Sequence, residues 1–394
     1  MSITKTYCPK AFNTIYFDGL MAGPCCIYLN PVEQKKMFSS DVSEMFNSGL
    51  MKQIRKDMLE GKKIKGCEQC YETEARGLKS DRQIMIDTYG FTNDVKLTEM
   101  EMAFDNVCNL KCRMCTSASS HQIIKDEIEI YGETLFDNPK YIRNDSFNNV
   151  DYSSLRKIQI AGGEPFYSKA TDQFIELLDE KNILHNIQFT FNTNGTVLPT
   201  NETINRLIKS EKTFISISID GVYDNNNFTR SGSDFKKILE NLNFYKKLSK
   251  NNSNIHLGIA TAVSVYNVNL LDEIYCFFEE HCSNFILERR PVFWPEVLSP
   301  RNLPVEYKNK VIDILKKSKF DFLDIIKHLD EDCNNLFEHF LNYHNKLNQL
   351  RNESFNNVNP MLDTYIKEYV RKNPNRIDST SFFNEQKKKV NEGL

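Results

Sequence analysis

The most constraining feature of the sequence is the alternation of strand-like and helix-like segments between residues 96 and 303. Short apolar and aromatic runs alternate with longer segments that carry apolar residues at helical spacing. Such alternation is typical of a parallel sheet joined by helical crossovers. Six strands and five crossovers favour a partial (β/α)6 barrel over a full eight-fold one. We expect strands at 97–105, 157–162, 187–194, 213–220, 254–263 and 284–292, and helices at 117–132, 167–181, 202–211, 234–250 and 268–281.

The predicted strands carry polar side chains on one face only. In the segment 213–220, isoleucines at alternate positions face one way, and Ser216, Ser218 and Asp220 face the other. Buried parallel strands are normally apolar on both faces, so a polar face indicates a barrel with a wet, polar lumen. An antiparallel sheet with one solvated face is the alternative, and the intervening helical segments argue against it.

The parts of the chain on either side of the barrel differ from it in texture. The first part is small and irregular, with a hairpin around Asp18-Gly19 and a helix over 40–60. The last part reads as helices at 306–318, 320–352 and 360–372, followed by a frayed end. We therefore predict an α/β protein with an N-terminal domain at 1–95, a barrel at 96–303 and a helical extension at 304–394.

The cysteines are unevenly distributed. The chain has eleven, and eight of them fall within the first 115 residues at short spacings, which is typical of metal ligands in a reduced compartment. The net charge of −3 argues against a general nucleic-acid or membrane binder. The sequence has neither a long apolar run nor an apolar segment near its start, so we expect a cytoplasmic protein.

Three cysteines follow the first barrel strand at CxxxCxxC spacing: Cys108, Cys112 and Cys115. Three thiolates can hold three irons of a [4Fe–4S] cluster and leave the fourth iron open to a small chelating molecule. Zinc is the alternative, since Cys67 and Cys70 with Cys112 and Cys115 have the form of a zinc ribbon. The 41 residues between these two pairs exceed the usual spacing of about fifteen to twenty.

This motif resembles that of the radical S-adenosylmethionine (SAM) superfamily. Gly162-Gly163-Glu164-Pro165, about fifty residues later at the end of the second strand, resembles the family's GGEP motif, which contacts the SAM amino group. Glu164 would then offer a carboxylate to the SAM ammonium. Many members have an aromatic residue where this chain has Met114, whose thioether can pack on an adenine. The resemblance further implies SAM-holding roles for Asn194, Ser218, Asp220 and Arg230.

A second group of cysteines lies near the N-terminus: Cys8, Cys25, Cys67 and Cys70. It resembles the twitch or SPASM auxiliary-cluster module of radical SAM enzymes, placed here before the barrel. The family's Pro-Cys step maps onto Cys25, so we favour Cys25 over Cys26 as the ligand. The resemblance implies a second [4Fe–4S] cluster that relays electrons, although four thiolates also suit zinc.

The resemblance implies an enzyme that cleaves SAM reductively to a 5′-deoxyadenosyl radical and oxidises or rearranges a substrate. A peptide or protein side chain is the leading substrate class, and a sugar, nucleotide or small metabolite is the alternative. A non-catalytic, metal-stabilised scaffold is the rival class. We expect a low-potential electron donor such as flavodoxin or ferredoxin as a partner.

Weaker candidates lie elsewhere in the barrel. Glu288 and Arg290 share one face at the end of the last strand and are candidates for binding a substrate anion or moving a proton, or for a structural ion pair. His256 is a candidate lumen residue, although a lone histidine is usually a satisfied core residue. The three cysteines beyond the cluster motif are interpreted as small buried hydrophobes: Cys276, Cys282 and Cys333.

Overall fold

The computed structural model describes residues 4–75, 77–137, 142–331, 336–374 and 377–392. Within them, the strands form one sheet in the order β2-β1-β3-β4-β5-β6-β7-β8. All neighbouring pairs are parallel except the β1–β2 hairpin. The strands are β1 Thr14–Phe17, β2 Ala22–Gly23, β3 Glu99–Met102, β4 Lys157–Ile160, β5 Gln188–Thr193, β6 Lys212–Ser218, β7 Ile255–Val263 and β8 Ile286–Pro291.

Six of these strands, β3 to β8, are those expected from the alternating pattern, and the mostly parallel sheet forms the predicted partial barrel. The N-terminal hairpin is present, and its turn contains Asp18, whose carboxylate accepts hydrogen bonds from the backbone N–H groups of Leu20 and Met21. The sheet does not begin at residue 96, however. Strand β1 pairs in parallel with β3, so the hairpin extends the barrel sheet.

Helices cover one face of the sheet. The strand side chains that face them are apolar and almost fully buried, among them Phe189, Phe191, Ile215 and Ile217. The α-helices are α1 Lys10–Asn13, α2 Pro31–Met37, α3 Val42–Phe46, α4 Gly49–Leu59, α5 Glu68–Ala75, α6 Asp81–Tyr89, α7 Ile124–Tyr131, α8 Lys169–Glu180, α9 Asn201–Leu207, α10 Asp224–Thr229, α11 Phe235–Asn251, α12 Leu271–His281, α13 Val305–Lys317, α14 Leu323–Leu329, α15 Phe337–Arg351, α16 Pro360–Lys372 and α17 Thr380–Glu392.

The opposite face of the sheet lines the lumen and is polar, as the alternation predicts. The strand register aligns one row of lumen-facing residues across β3 to β7: Glu101, Gln159, Thr190, Phe214 and His256. Toward the carboxyl ends of the strands, the next rows contain Ser216 and Ser218. The same parity places Glu99 and Tyr16 on this face.

Three helix predictions need correction. The segment 40–60 forms two helices, because Ser48 caps the start of α4 with its side chain and separates it from α3. The segment 320–352 contains α14 and α15, and the four residues 332–335, which include Cys333, lie outside the described residues. The C-terminal end is helical up to residue 392, because α17 packs against α2 and α7.

Two of the late cysteines can be compared with their predicted burial. Cys282 is buried, but Cys276 is an exposed residue of α12, so its interpretation as a buried hydrophobe is wrong. Every cysteine in the described part of the chain is a free thiol. In that part, no helix combines the length and apolar character needed to cross a membrane.

Candidate active site at the carboxyl ends of the strands

The loop that follows β3 carries Cys108, Cys112 and Cys115. Cys108 is buried and the other two are half-buried. Burial raises the pKa of Cys112 to about 11, partly offset by the Arg230 guanidinium, whose Nη1 lies 3.9 Å from Cys112 Sγ. Burial also raises the pKa of Cys115, which the two neighbouring thiols raise further. One loop therefore carries three buried or half-buried thiols, which an iron–sulfur group would bind as thiolates.

The loop after β4 approaches the cysteine loop so closely that only glycine fits. A Cβ on Gly163 would lie 2.3 Å from the carbonyl oxygen of Val107, the residue before Cys108. A Cβ on Gly162 would lie 2.2 Å from the Ala103 Cβ, and Gly162 has φ +85°, which favours glycine. The predicted GGEP motif thus sits directly against the start of the cysteine loop.

The Glu164 carboxylate is hydrogen-bonded to groups at the end of the next strand, β5. Glu164 is buried, and its oxygens accept hydrogen bonds from Thr193 Oγ1 at 2.6 Å, from Asn194 N at 2.6 Å and from Phe166 N at 3.2 Å. Burial raises its pKa to about 7 against these hydrogen bonds. The carboxylate therefore ties the end of β4 to the end of β5, and its expected contact with the SAM ammonium stays a prediction.

The other residues implied by the resemblance converge on the same loop. Asn194 Nδ2 donates to Asn109 Oδ1 at 2.9 Å and lies 4.0 Å from Cys108 Sγ. Asp220 is fully buried, and its Oδ2 lies 2.7 Å from Arg230 Nε, so this ion pair reaches the cysteine loop through Arg230. Ser218 lies half-buried at the end of β6, directly before this group.

A residue that the motif analysis did not single out, Arg113, anchors the loop. Arg113 stands between Cys112 and Met114 in the sequence. Its side chain is fully buried, and its guanidinium lies 3.6 Å from the centre of the Phe228 ring. It donates to Asn348 Oδ1 at 2.7 Å and forms an ion pair with Glu353. The Tyr343 hydroxyl donates to the Arg113 carbonyl at 2.9 Å. Helix α15 and the residues just after it therefore fix the shape of the cysteine loop.

A protonated His344 would be a second cation beside Arg113, and the network has no place for it. The stability of the network therefore depends on pH. Asn348 uses its Oδ1 for Arg113 and its Nδ2, at 3.0 Å, for Nε2 of His344. A protonated His344 would present a donor to that amide donor, so the ring is held neutral. Burial, followed by the nearby Arg113, lowers the pKa of His344 to about 3.

We expect His344 to make the cluster-free protein less stable in mild acid. The unfolded histidine takes up a proton below its ordinary pKa of about 6.5, whereas the folded one does not until about 3, so stability falls as the pH falls through this window. Between pH 7.5 and 5 the loss from this residue is about 2 kcal/mol. Chemical denaturation at both pH values measures it.

In His344→Gln this part of the pH dependence should disappear. His185→Gln, which changes an exposed histidine, is the matched control and should keep it. Identical pH dependences in wild type and His344→Gln would contradict the assignment.

The N-terminal cysteines lie close to one another in the fold. Cys8, Cys25 and Cys67 pack around one small apolar cluster that includes Tyr7, Phe12 and Tyr28. Cys70 lies about one turn after Cys67, and its backbone N–H donates a hydrogen bond of 3.2 Å to the Cys67 carbonyl. Burial raises the pKa of Cys8 to about 11, and the charge of Cys70 contributes to this shift.

Cys26 lies apart from this group. It is exposed, whereas Cys25 packs against the apolar cluster with Cys8 and Cys67. The Cys8 thiol contributes to the raised pKa of Cys25, after burial and Glu101. This placement supports the preference for Cys25 as the ligand, which stays a prediction.

A buried ion pair joins the N-terminal site to the lumen wall. Glu101, on the lumen face of β3, pairs with the Lys10 ammonium and accepts a hydrogen bond from the Cys26 N–H at 2.7 Å. Lys10 lies two residues after Cys8, and Cys26 directly follows Cys25. Both cysteine-bearing segments are therefore fixed to β3, the strand that leads into the loop of Cys108, Cys112 and Cys115.

Neither cysteine group is arranged for one ion. Among the described residues, no three histidine, cysteine or acidic side chains converge closely enough to hold a single metal ion. A [4Fe–4S] cube is larger than one ion and holds its ligands further apart. The donor set at each site is sulfur only, which suits an iron–sulfur cluster.

Among the described residues, no hydrogen bond or ion pair joins the weaker candidates Glu288, Arg290 and His256 to the cysteine loop. Glu288 and Arg290 are exposed on the lumen side of β8, and Arg290 Nη2 lies 3.6 Å from Asp81 Oδ1 at the start of α6. His256 is exposed near the amino end of β7, about 13 Å along the strand from the level of Ser218, and lines a surface groove of about 640 Å³. Met114 packs half-buried against the main core.

Comparison with known proteins agrees with this arrangement. Residues 102–261, from the end of β3 through most of β7, match the family model described as the radical SAM superfamily. The chain contains a radical SAM domain. Proteins of this superfamily are enzymes, and the family implies a [4Fe–4S] cluster and SAM; that Cys108, Cys112 and Cys115 hold them stays a prediction. The sulfur-only donor set and the close glycine approach fit such a group.

Individual relatives are distant. Over 149 residues this chain is 27% identical to a protein named GTP 3′,8-cyclase from Alkaliphilus oremlandii (strain OhILAs), and the match covers 38% of this chain and 43% of the relative. The chain thus spans less than half of that curated protein. Native anSMEcpe with bound AdoMet is 20% identical with a TM-score of 0.38, over 58% of this chain and 61% of the other. SuiB from Streptococcus suis, bound to S-adenosylmethionine, is 16% identical with a TM-score of 0.28, over 53% of this chain and 52% of the other.

Proposed function

We propose that this radical SAM enzyme oxidises a peptide or protein side chain in its lumen and uses an auxiliary [4Fe–4S] cluster on Cys8, Cys25, Cys67 and Cys70 as an electron relay. The carrying observation is the position of the N-terminal thiols, which Glu101 fixes to the lumen face of β3. An electron acceptor there would lie beside the cavity in which a substrate radical forms.

The cluster on Cys108, Cys112 and Cys115 supplies, when bound, one electron that cleaves SAM to methionine and a 5′-deoxyadenosyl radical, which takes a hydrogen atom from the substrate. The chain's own residues would shape this site. Arg230, held by Asp220, places a cation beside Cys112. Asn194 braces the cysteine loop, and the buried walls of the barrel keep water from the radical.

A net oxidation would remove two hydrogens from the substrate. One leaves as the hydrogen atom taken by the radical, and the other leaves as a proton and an electron. The electron passes to the auxiliary site and the proton to solvent. A low-potential donor such as flavodoxin or ferredoxin would supply the starting electron, which suits the reducing cytoplasm and the free thiols of this chain.

The charges of the lumen favour a peptide over a nucleoside triphosphate. Three cations on the lumen side have partners: the Lys10 ammonium is engaged by Glu101, Lys157 by the Tyr89 hydroxyl at 2.7 Å, and Arg290 by Asp81 at 3.6 Å. Glu99 and Glu101 add negative charge to the same wall. A triphosphate needs several cations free to bind it, whereas a neutral or zwitterionic peptide does not.

A nucleotide substrate is the second candidate, because the relative from Alkaliphilus oremlandii is named GTP 3′,8-cyclase. To separate the two, we would reconstitute the protein anaerobically, count iron and sulfide, and measure 5′-deoxyadenosine formation with dithionite and SAM. One arm adds a synthetic peptide pool containing Ser, Cys, Thr and Tyr, and the other adds GTP.

We expect about eight irons per chain and at least a tenfold rise in 5′-deoxyadenosine with the peptide pool, with a peptide that has lost two hydrogens. Stimulation by GTP alone would move the assignment to a nucleotide. About four irons would remove the auxiliary cluster from the proposal. Cluster assembly without any 5′-deoxyadenosine would favour the non-catalytic scaffold.

A further inference from the structure

The ion pair between Lys10 and Glu101 is unusual in its burial. The Glu101 side chain is 2% exposed and that of Lys10 is 14% exposed. A second carboxylate, Glu99, has its Oε1 3.9 Å from the Lys10 ammonium. Lys10 therefore carries a fixed positive charge inside the wall.

The attraction within such a buried pair is largely offset by the cost of removing both charges from water, so the pair contributes little net stability. Two buried charges lose most of their hydration, and apolar side chains of similar volume often stabilise a protein as well or better. Its place in the fold suggests another use. Lys10 follows Cys8 by two residues, and Glu101 accepts from the residue after Cys25, so both charges lie next to the N-terminal thiols.

Charges near an iron–sulfur cluster change its reduction potential. A cation stabilises the reduced form, which carries one more negative charge, and an anion destabilises it. The effect is largest where water is excluded, as it is around Glu101. The two charges of this pair therefore act on a cluster in opposite directions.

We propose that Lys10 raises the reduction potential of the auxiliary cluster so that it accepts the electron of the substrate radical, and that Glu101 holds Lys10 in place and limits this rise. The inference rests on the proposed function, because the auxiliary cluster is part of it. One electron enters the cluster, the substrate proton leaves to solvent, and Lys10 stays protonated throughout.

The test isolates the auxiliary cluster in the full chain. A parent protein carries Cys108→Ala, Cys112→Ala and Cys115→Ala, and its iron content is counted after reconstitution. The variants Lys10→Met, Lys10→Arg, Glu101→Gln and the double variant Lys10→Met with Glu101→Gln are made in this parent. Lys62→Met, at an exposed lysine of the N-terminal segment, is the matched control. The readout is the midpoint potential from a redox titration followed by EPR.

We expect Lys10→Met to weaken electron uptake about tenfold, which is a shift of about 59 mV to lower potential for one electron. Glu101→Gln should shift the potential upward, the double variant should lie between the two, and Lys10→Arg and Lys62→Met should match the parent. A general loosening of the site would shift the midpoint potential of both single variants in the same direction, so opposite shifts would exclude it.

The outcomes separate this inference from the function on which it rests. A parent with about four irons keeps the auxiliary cluster, and potentials that do not move, or that move in the same direction in both single variants, then overturn the tuning role alone. A parent without iron overturns the auxiliary cluster and the tuning role together. Where Lys10→Met fails to fold, the upward shift in Glu101→Gln still decides the question.

Discussion

Replacing Cys112 by alanine is expected to lower 5′-deoxyadenosine formation from SAM by about a thousandfold or more. Two remaining thiols cannot hold three irons, so the open iron that would chelate SAM is lost. The change also removes the sulfur that lies 3.9 Å from Arg230 Nη1. The ion pair between Arg230 and Asp220 then has no thiol beside it at this position. The measurement is anaerobic turnover with dithionite, with the absorbance and EPR of the cluster recorded in parallel.

Cys276→Ala is the matched control for this experiment, because it removes an exposed thiol of α12. It should leave both the cluster and turnover at wild-type levels. Undiminished 5′-deoxyadenosine in Cys112→Ala would refute the assignment of this loop to the SAM cluster. An equal loss in both variants would mean that the effect comes from handling or oxidation.

The second large effect is expected at Arg113. Arg113→Met removes the guanidinium and leaves Glu353 and Asn348 without their partner, so we expect a loss of about 3 kcal/mol in the free energy of unfolding of the cluster-free protein. The Glu353 side chain is 24% exposed, which keeps the loss at the lower end for a broken buried pair. Chemical denaturation measures the loss, and iron release after reconstitution should become faster because the loop is no longer fixed.

Arg206→Met, which breaks surface ion pairs with Glu176 and Asp179, is the matched control and should cost less than about 1 kcal/mol. Arg113→Lys should fall between wild type and Arg113→Met, because lysine keeps the charge but cannot bond Glu353 and Asn348 with one planar group. In Arg113→Met with Glu353→Gln, the combined loss should be smaller than the sum of the single losses. Additive losses would show that the two residues do not act as a pair.

The sequence predicts those features that depend on local patterns. The strands β3 to β8 follow from their own composition, and the polar lumen follows from alternation within each strand. The cysteine spacing predicts the loop of Cys108 without reference to any distant residue. The glycines at 162 and 163 agree with it, because the motif itself encodes a close backbone approach.

Features that depend on distant parts of the chain were missed. Arg113 is separated from Asn348 by 235 residues and from Glu353 by 240, and nothing in the local sequence marks these three as partners. The addition of β1 to the barrel sheet is also nonlocal, because it skips the whole segment before β3. Glu101 had a sign that went unused: two glutamates alternate with methionines in β3, which places both carboxylates on the lumen face.

The long separation between Arg113 and its partners has a consequence for how the protein is made. The cysteine loop leaves the ribosome early, but the residues that fix it, up to Glu353, are synthesised 240 positions later. At about 5 to 20 residues per second, this interval is roughly ten to fifty seconds. The loop therefore reaches its final shape only after Glu353 has been synthesised, so the machinery that inserts iron meets an unanchored loop in shorter nascent chains and a settled one afterwards.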